Sequence, residues 1–234
     1  MKTLVLSLGG SILFPSLEKN TLSSYVPVLK ALAAKHRIFV VVGGGGEARR
    51  YIEAARKHSV DDGTCDEIGI LVTRLNATML CAALGDAAYP RIPVNQTEAM
   101  EASLSGKIVV MGGITPGQTT DAVAAVLAER VHADAMINLT SVDGIYDKDP
   151  KKYKNAKRYD HLTPADLVET VGKGDLKAGA NNVIDLVAAK VTARSRVPLI
   201  VFDGRDAGNL LQAVRTGVFS GTTISLKKKK ILPL

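Results

Sequence analysis

The residues of this chain best suited to chemistry are glycines that end short apolar runs. Leu4 to Leu8 gives way to Gly9-Gly10-Ser11, and Ile38 to Val42 to Gly43-Gly44-Gly45-Gly46. Ile108 to Met111 leads into Gly112-Gly113-Ile114-Thr115-Pro116-Gly117-Gln118-Thr119-Thr120. A residue without a Cβ lets an anion approach the backbone N–H groups closely. The second and third segments also open helical patterns, whose free first-turn N–H groups favour negative charge. One such loop could be a tight turn and nothing more. Three of them, each at the end of an apolar run, point to phosphate groups. No Gly-Lys-Ser/Thr follows any of them, so none is a Walker loop. Gly43, Gly45 and Ala48 do fit G-x-G-x-x-A, a nominal dinucleotide fingerprint. It follows the second apolar run rather than the first, and no acidic residue clearly ends the next run to hold a ribose.

A further concentration lies at Thr140-Ser141-Val142-Asp143-Gly144-Ile145-Tyr146-Asp147-Lys148-Asp149-Pro150, after the apolar run Ala135 to Leu139. Thr140 offers a hydroxyl, Tyr146 a flat ring and Asp149 an acceptor, a set that could hold an adenine and a ribose. The same residues could equally cap their own backbone, because Asp-Gly is a turn signal.

These loops need elements to position them. Continuous apolar runs of this length read as strands buried on both faces of a parallel sheet; Leu199 to Phe202 is another. Helical patterns lie between them: Glu47 to Lys57, Ile68 to Leu84, Asp121 to Val131, Asn181 to Arg194 and Asp206 to Arg215. Alternation of strands and helices implies crossover connections and an α/β fold with a mostly parallel sheet. Ligands of such sheets bind beyond the carboxyl ends of the strands, where the glycines fall. Asp147 to Tyr159 is polar and reads as a surface loop.

Composition excludes several classes. The chain has 234 residues, 46% of them hydrophobic, no Trp and few aromatics, so its core must rest on aliphatic side chains. Cys65 and Cys81 have no metal spacing and form no disulfide framework, and the histidines are scattered, so no metal site is expected. The net charge is +7, but one run, Lys227-Lys228-Lys229-Lys230, supplies four of those charges. Such a run reads as a solvated, disordered tail. Aromatic-basic interleaving of the kind that stacks bases is absent, so nucleic acid is not expected as a partner. The apolar runs are too short for a bilayer and the N-terminus does not read as a signal peptide, so neither a membrane nor export is expected, and the default location is the cytoplasm.

Taken together, these segments resemble the amino-acid kinase superfamily, and within it the archaeal-type UMP kinases. The likeness covers residues 1 to 226 as one domain, with 227 to 234 as a basic tail. It is carried by Leu8-Gly9-Gly10-Ser11, Val42-Gly43-Gly44-Gly45 with Ala48-Arg49, and Asp66 through Ile68-Gly69 to Thr73-Arg74 and Asn76-Ala77. It continues through Met111-Gly112-Gly113, Pro116-Gly117, Thr119-Thr120-Asp121-Ala122, the Val142-Asp143-Gly144-Ile145-Tyr146 segment with Asp149-Pro150, and Val183-Ile184-Asp185.

The resemblance implies a three-layer α/β/α sandwich with a central sheet of about eight strands and a homohexamer. It implies transfer of a phosphoryl group from ATP, with Mg²⁺ on the nucleotide, to UMP. Gly9, Gly10, Gly45 and Arg49 would contact ATP phosphates, and Thr140, Tyr146 and Asp149 the ATP base and ribose. Gly44 and Asp66 would contact UMP, and Gly113, Ile114, Thr115, Pro116, Gly117, Gln118 and Thr119 would form its phosphate loop. Asp121 would organise the reacting centre, with Arg49 as the main protein cation. Many relatives carry a lysine where this chain has Ser7. That departure keeps a rival open, a non-catalytic nucleotide- or oxyanion-binding storage or regulatory protein on the same fold. A third reading is a related kinase acting on isopentenyl phosphate or an amino acid.

Overall fold

The computed structural model describes residues 1–150, 152–172, 183–228 and 230–234. In chain order the elements are β1 (Lys2–Leu8), α1 (Gly10–Leu13), α2 (Leu22–Ala33), β2 (His36–Val42), α3 (Gly45–Lys57) and α4 (Asp62–Leu84). There follow α5 (Gln96–Ser103), β3 (Val109–Met111), α6 (Thr120–Arg130), β4 (Ala135–Thr140) and β5 (His161–Leu162). The chain continues with α7 (Pro164–Gly172), α8 (Leu186–Ser195), β6 (Leu199–Asp203), α9 (Ala207–Thr216) and β7 (Gly221–Ile224). Of the expected helix Asn181 to Arg194, Asn181 and Asn182 lie outside the described residues, and Val183 to Asp185 precede the helix, which begins at Leu186 because the Asp185 side chain caps it.

The strands form one sheet in the order β3-β2-β1-β4-β6-β7-β5. Seven strands are described, against about eight expected. All pairings are parallel except β6 with β7. The five expected strands, β3-β2-β1-β4-β6, are consecutive in this order, and their apolar runs are explained by burial on both faces. Leu4, Leu6, Leu8, Val40, Val42, Ile137, Leu139, Ile200 and Phe202 belong to one core with residues of α2, α4 and α9. Val5, Phe39, Val41, Met111, Met136, Leu199 and Val201 belong to the other, with residues of α5, α6, α7 and α8. This is a three-layer α/β/α sandwich.

α4 is 23 residues long, with a mean hydropathy of 1.6 over its most apolar window. By length and composition it could cross a bilayer, unlike the short runs read from the sequence. In this fold it lies against α3, α2, β2 and β3, and Val72, Ala77, Leu80 and Leu84 are buried.

Beyond the lysine run the chain is packed, not loose as expected. Leu232 is buried with Leu210, Ala213 and Val214, and the Leu234 N–H donates to the Val214 carbonyl at 3.3 Å. The apolar residues after the lysines, Ile231, Leu232 and Leu234, account for this.

Candidate active site

The sheet order sets the expected loops side by side along its carboxyl edge: Gly112-Gly113 after β3, Gly43 to Gly45 after β2, Gly9-Gly10 after β1, and Thr140 ending β4. The middle two touch backbone to backbone. A Cβ on Gly10 would lie 2.2 Å from the Gly45 nitrogen and 2.4 Å from the Gly43 oxygen, distances no side chain tolerates. Gly45 adopts φ +68°, a left-handed conformation that favours glycine. Gly44 precedes α3 without any side-chain cap, so the first-turn N–H groups of that helix stay available to an anion.

α4 fastens the second and third loops. Asn76 Nδ2 donates to the carbonyls of Gly43 (2.9 Å) and Gly44 (3.2 Å). The Gly113 N–H donates to Thr73 Oγ1 at 2.7 Å, and Arg74 Nε to the Gly113 carbonyl at 3.1 Å. The Gly117 N–H donates to Asp66 Oδ2 at 2.7 Å. Between the loops lies a cleft of about 260 Å³ lined by Gly44, Gly45, Asp66, Gly113, Thr115, Gln118 and Thr119, with Ala48, Ile52, Gly69, Ile70, Thr73 and Thr120. Ile114, Pro116 and Gly117 belong to the same loop without lining the cleft. Thr73, Arg74 and Asn76 had no task assigned from sequence. The signal for them was helical spacing: Asp66, Gly69-Ile70, Thr73 and Asn76-Ala77 recur along one side of α4.

Next to this cleft a partly buried polar cluster lies at the start of α6. Ser7, one residue from the end of β1, pairs with Val41 on one side and Asn138 on the other. Its Oγ donates to Asp121 Oδ1 at 2.6 Å. Asp121 sits in the first turn of α6, where the helix dipole favours an anion. Desolvation nevertheless pushes its carboxyl up to about 6. The Ser7 bond opposes that rise, the Asp185 charge adds to it, and Asn138 opposes it. Thr119 caps α6 by accepting from the Ala122 N–H, and its hydroxyl donates to Asp185 Oδ2. Asp185 in turn caps α8, accepting from Val187 and Ala188. Asp185 carried no assigned role in the sequence; its position before a helical pattern marks a cap, but its bond to Thr119 is brought about by the fold.

On the other side of β1, the Gly9 N–H donates to the Leu139 carbonyl at 3.1 Å, which joins the first loop to the end of β4. The Thr140 carbonyl accepts from the Gly204 N–H at 2.9 Å. The buried Tyr25 hydroxyl of α2 donates to the Gly204 carbonyl at 2.5 Å. The Tyr146 hydroxyl donates to Asp143 Oδ1 at 2.8 Å, and this bond, with burial second, raises its pKa. The Asp149 carbonyl accepts from Lys152 and Tyr153. Arg49, in contrast, is exposed on α3 and does not line the cleft. It follows Ala48, which does.

The arrangement gathers N–H-rich loops, suited to phosphate groups, beside the half-buried Asp121 carboxylate. Comparison with known proteins gives the family. A model of the amino acid kinase family matches residues 2–203. A uridylate kinase of Methanoregula boonei is 60% identical over 234 residues, covering 100% of both chains. One of Methanoculleus marisnigri is 57% identical over 233 residues, again covering 100% of both. The crystal structure of uridylate kinase from Archaeoglobus fulgidus superposes with a TM-score of 0.85 at 45% identity, covering 96% of this chain and 100% of that one.

Proposed function

The chain belongs to the amino acid kinase family, and from that premise we propose that it transfers a phosphoryl group from ATP to UMP, giving ADP and UDP. The substrates follow from full-length similarity to uridylate kinases. The structural observation that carries the reading is the shared cleft, which Gly44, Gly45 and Asp66 line together with Gly113, Thr115, Gln118, Thr119 and Thr120.

UMP would occupy the side of β2 and β3. Its phosphate would meet the loop Gly113 to Thr119, and a ribose hydroxyl would donate to Asp66, whose Oδ2 already holds Gly117. ATP would lie over β1 and β4, with phosphates at Gly9, Gly10 and Gly45 and its base and ribose near Thr140, Tyr146 and Asp149. Phosphoryl transfer asks little covalent help of a protein and much positioning and charge stabilisation. The N–H groups of the glycine loops supply neutral donors. Arg49, one turn into α3, would swing over the phosphates when they bind, as the protein's cation. Asp121 would orient the reacting groups in line, with no covalent enzyme intermediate. A Mg²⁺ ion would be carried in on the ATP phosphates, where it would neutralise part of their charge. UDP so made would feed UTP and CTP synthesis in the cytoplasm.

A homohexamer fits the outer face of α4, where Leu71, Leu75 and Met79 recur every fourth residue and are 63%, 62% and 47% exposed. Apolar stripes of this kind mark contact surfaces.

The reading is tested by coupled ADP release with Mg·ATP and each of UMP, CMP, GMP and AMP. UMP should stimulate turnover most. No UMP-stimulated turnover would overturn it.

A further inference from the structure

The geometry points to Arg158 as the positioning residue of the donor nucleotide site: it fixes Asp143, and through Asp143 the Tyr146 hydroxyl. This rests on the placing of ATP near Tyr146 proposed above, and it concerns a residue that no motif singled out.

Arg158 lies at the end of the polar stretch Asp147 to Tyr159, opposite the loop that carries Tyr146. Backbone pairing holds the two segments together. Tyr146 and Arg158 form an antiparallel bridge, the Tyr159 N–H donates to the Ile145 carbonyl at 2.9 Å, and the Asp147 N–H donates to the Lys157 carbonyl at 3.1 Å. One guanidinium nitrogen, Nη1, then donates to three acceptors: Asp143 Oδ2 (2.9 Å), the Asp143 carbonyl (3.3 Å) and Ser220 Oγ (2.6 Å). The other, Nη2, lies 3.6 Å from Asp160 Oδ1. The fork therefore ties the Asp143 turn to the approach to β7.

Two features show that this site is built around the arginine. A Cβ on Gly144, at φ +148°, would lie 2.7 Å from both Arg158 Cδ and Thr222 Oγ1, so only glycine lets the arginine stem pass. Thr222, fully buried, accepts from the Ile145 N–H at 2.8 Å and donates to the Tyr159 carbonyl at 2.6 Å.

The carboxylate that Arg158 holds is the one that accepts from Tyr146. Asp143 Oδ2 takes the arginine while Oδ1 takes the phenol at 2.8 Å. Without Arg158 the Asp143 carboxylate, 46% exposed, would turn to water and release the ring that the nucleotide must meet. A lysine would keep the charge but lose the two-armed grip.

The test measures ATP and UMP affinity by calorimetry, and the KM of each, for the wild type, Arg158→Met, Arg158→Lys, Tyr146→Phe and the double variant Arg158→Met/Tyr146→Phe. Arg158→Met is expected to weaken ATP about tenfold and leave UMP within about twofold, with Arg158→Lys recovering only part of the loss. Because the two residues act through one carboxylate, the double variant should bind ATP no more weakly than Arg158→Met alone. Equal loss of ATP and UMP affinity, or strictly multiplicative effects in the double variant, would overturn the proposal and leave Arg158 a general brace. A wild type that turns over ATP and UMP while Arg158→Met matches it would overturn this inference alone. A wild type that binds neither nucleotide would overturn the parent reading.

Discussion

Ser7 Oγ donates a 2.6 Å hydrogen bond to Asp121 Oδ1, so a neutral donor holds an acid where the resemblance led to the expectation of a lysine. The bond steadies the carboxylate without neutralising it. Asp121 remains raised to about 6, chiefly by desolvation. On the proposed reading, cationic help for the transferred group would come from Arg49 and from the ion on the nucleotide. Several outcomes depend on this arrangement.

The first is the pH dependence of turnover. If the ionised carboxylate orients the reacting groups, activity should fall as pH drops and Asp121 takes up its proton. A kcat/KM profile for UMP should show an acidic limb centred near 6. Placement of that limb near the ordinary aspartate range would remove Asp121 from the role.

The second concerns stability. The folded pKa of Asp121, about 6, lies above its ordinary value of 3.8. Between those values the native state holds the proton more tightly, so this group's contribution falls as pH rises from 4 to 6 and stays low above. Asp121→Asn avoids that penalty. It should be more stable than the wild type at pH 7.5, by up to about 3 kcal/mol, with the advantage gone near pH 4, while turnover falls at least about a hundredfold. Melting temperatures across that range check it.

How much of this was legible in the sequence differs between strands, helices and site. The strands β1, β2, β3, β4 and β6 were readable because burial on both faces makes them continuous apolar runs. β7, with the sequence Gly-Thr-Thr-Ile, and the two-residue β5 have no such run; pairing with β6 and with each other holds them in the sheet. α2 was missed because Pro27 lies inside it and removes a donor from its ladder. Its burial of Tyr25, Leu29 and Leu32 outweighs that loss. The glycine loops were readable because their chemistry is local. The Ser7–Asp121, Thr119–Asp185 and Arg158–Asp143 pairs were not, because each joins segments that only the fold brings together. The lysine run misled, because charge was weighed without the apolar Ile231, Leu232 and Leu234 that follow it.

The contact between the first two loops leaves no room for a methyl group. Gly10→Ala would drive a Cβ to 2.2 Å from the Gly45 nitrogen. The loops must part, at a cost of about 3 kcal/mol, seen as a melting temperature lower by about 6–12 °C. ATP affinity should fall with it. An unchanged melting temperature would mean that the loops do not touch in this way.

Asp66 is the joint between α4 and the third loop. Removing its bond to the Gly117 N–H should loosen the acceptor side alone. Asp66→Ala is expected to raise the KM for UMP by about ten- to a hundredfold, with the KM for ATP within about twofold. Initial rates with each substrate varied separately decide this, and a larger effect on ATP would reverse the assignment of the two sides.

On the proposed reading, the cleft between Gly44 and Gly113 presents UMP to the terminal phosphoryl group of ATP. The direct measurement is to incubate the protein with Mg²⁺, UMP and ATP labelled in its γ-phosphate, and to separate the products. Label should appear in the β-phosphate of UDP, in step with ADP formed. Label released as inorganic phosphate, or no UMP-dependent loss of ATP at all, would contradict the account.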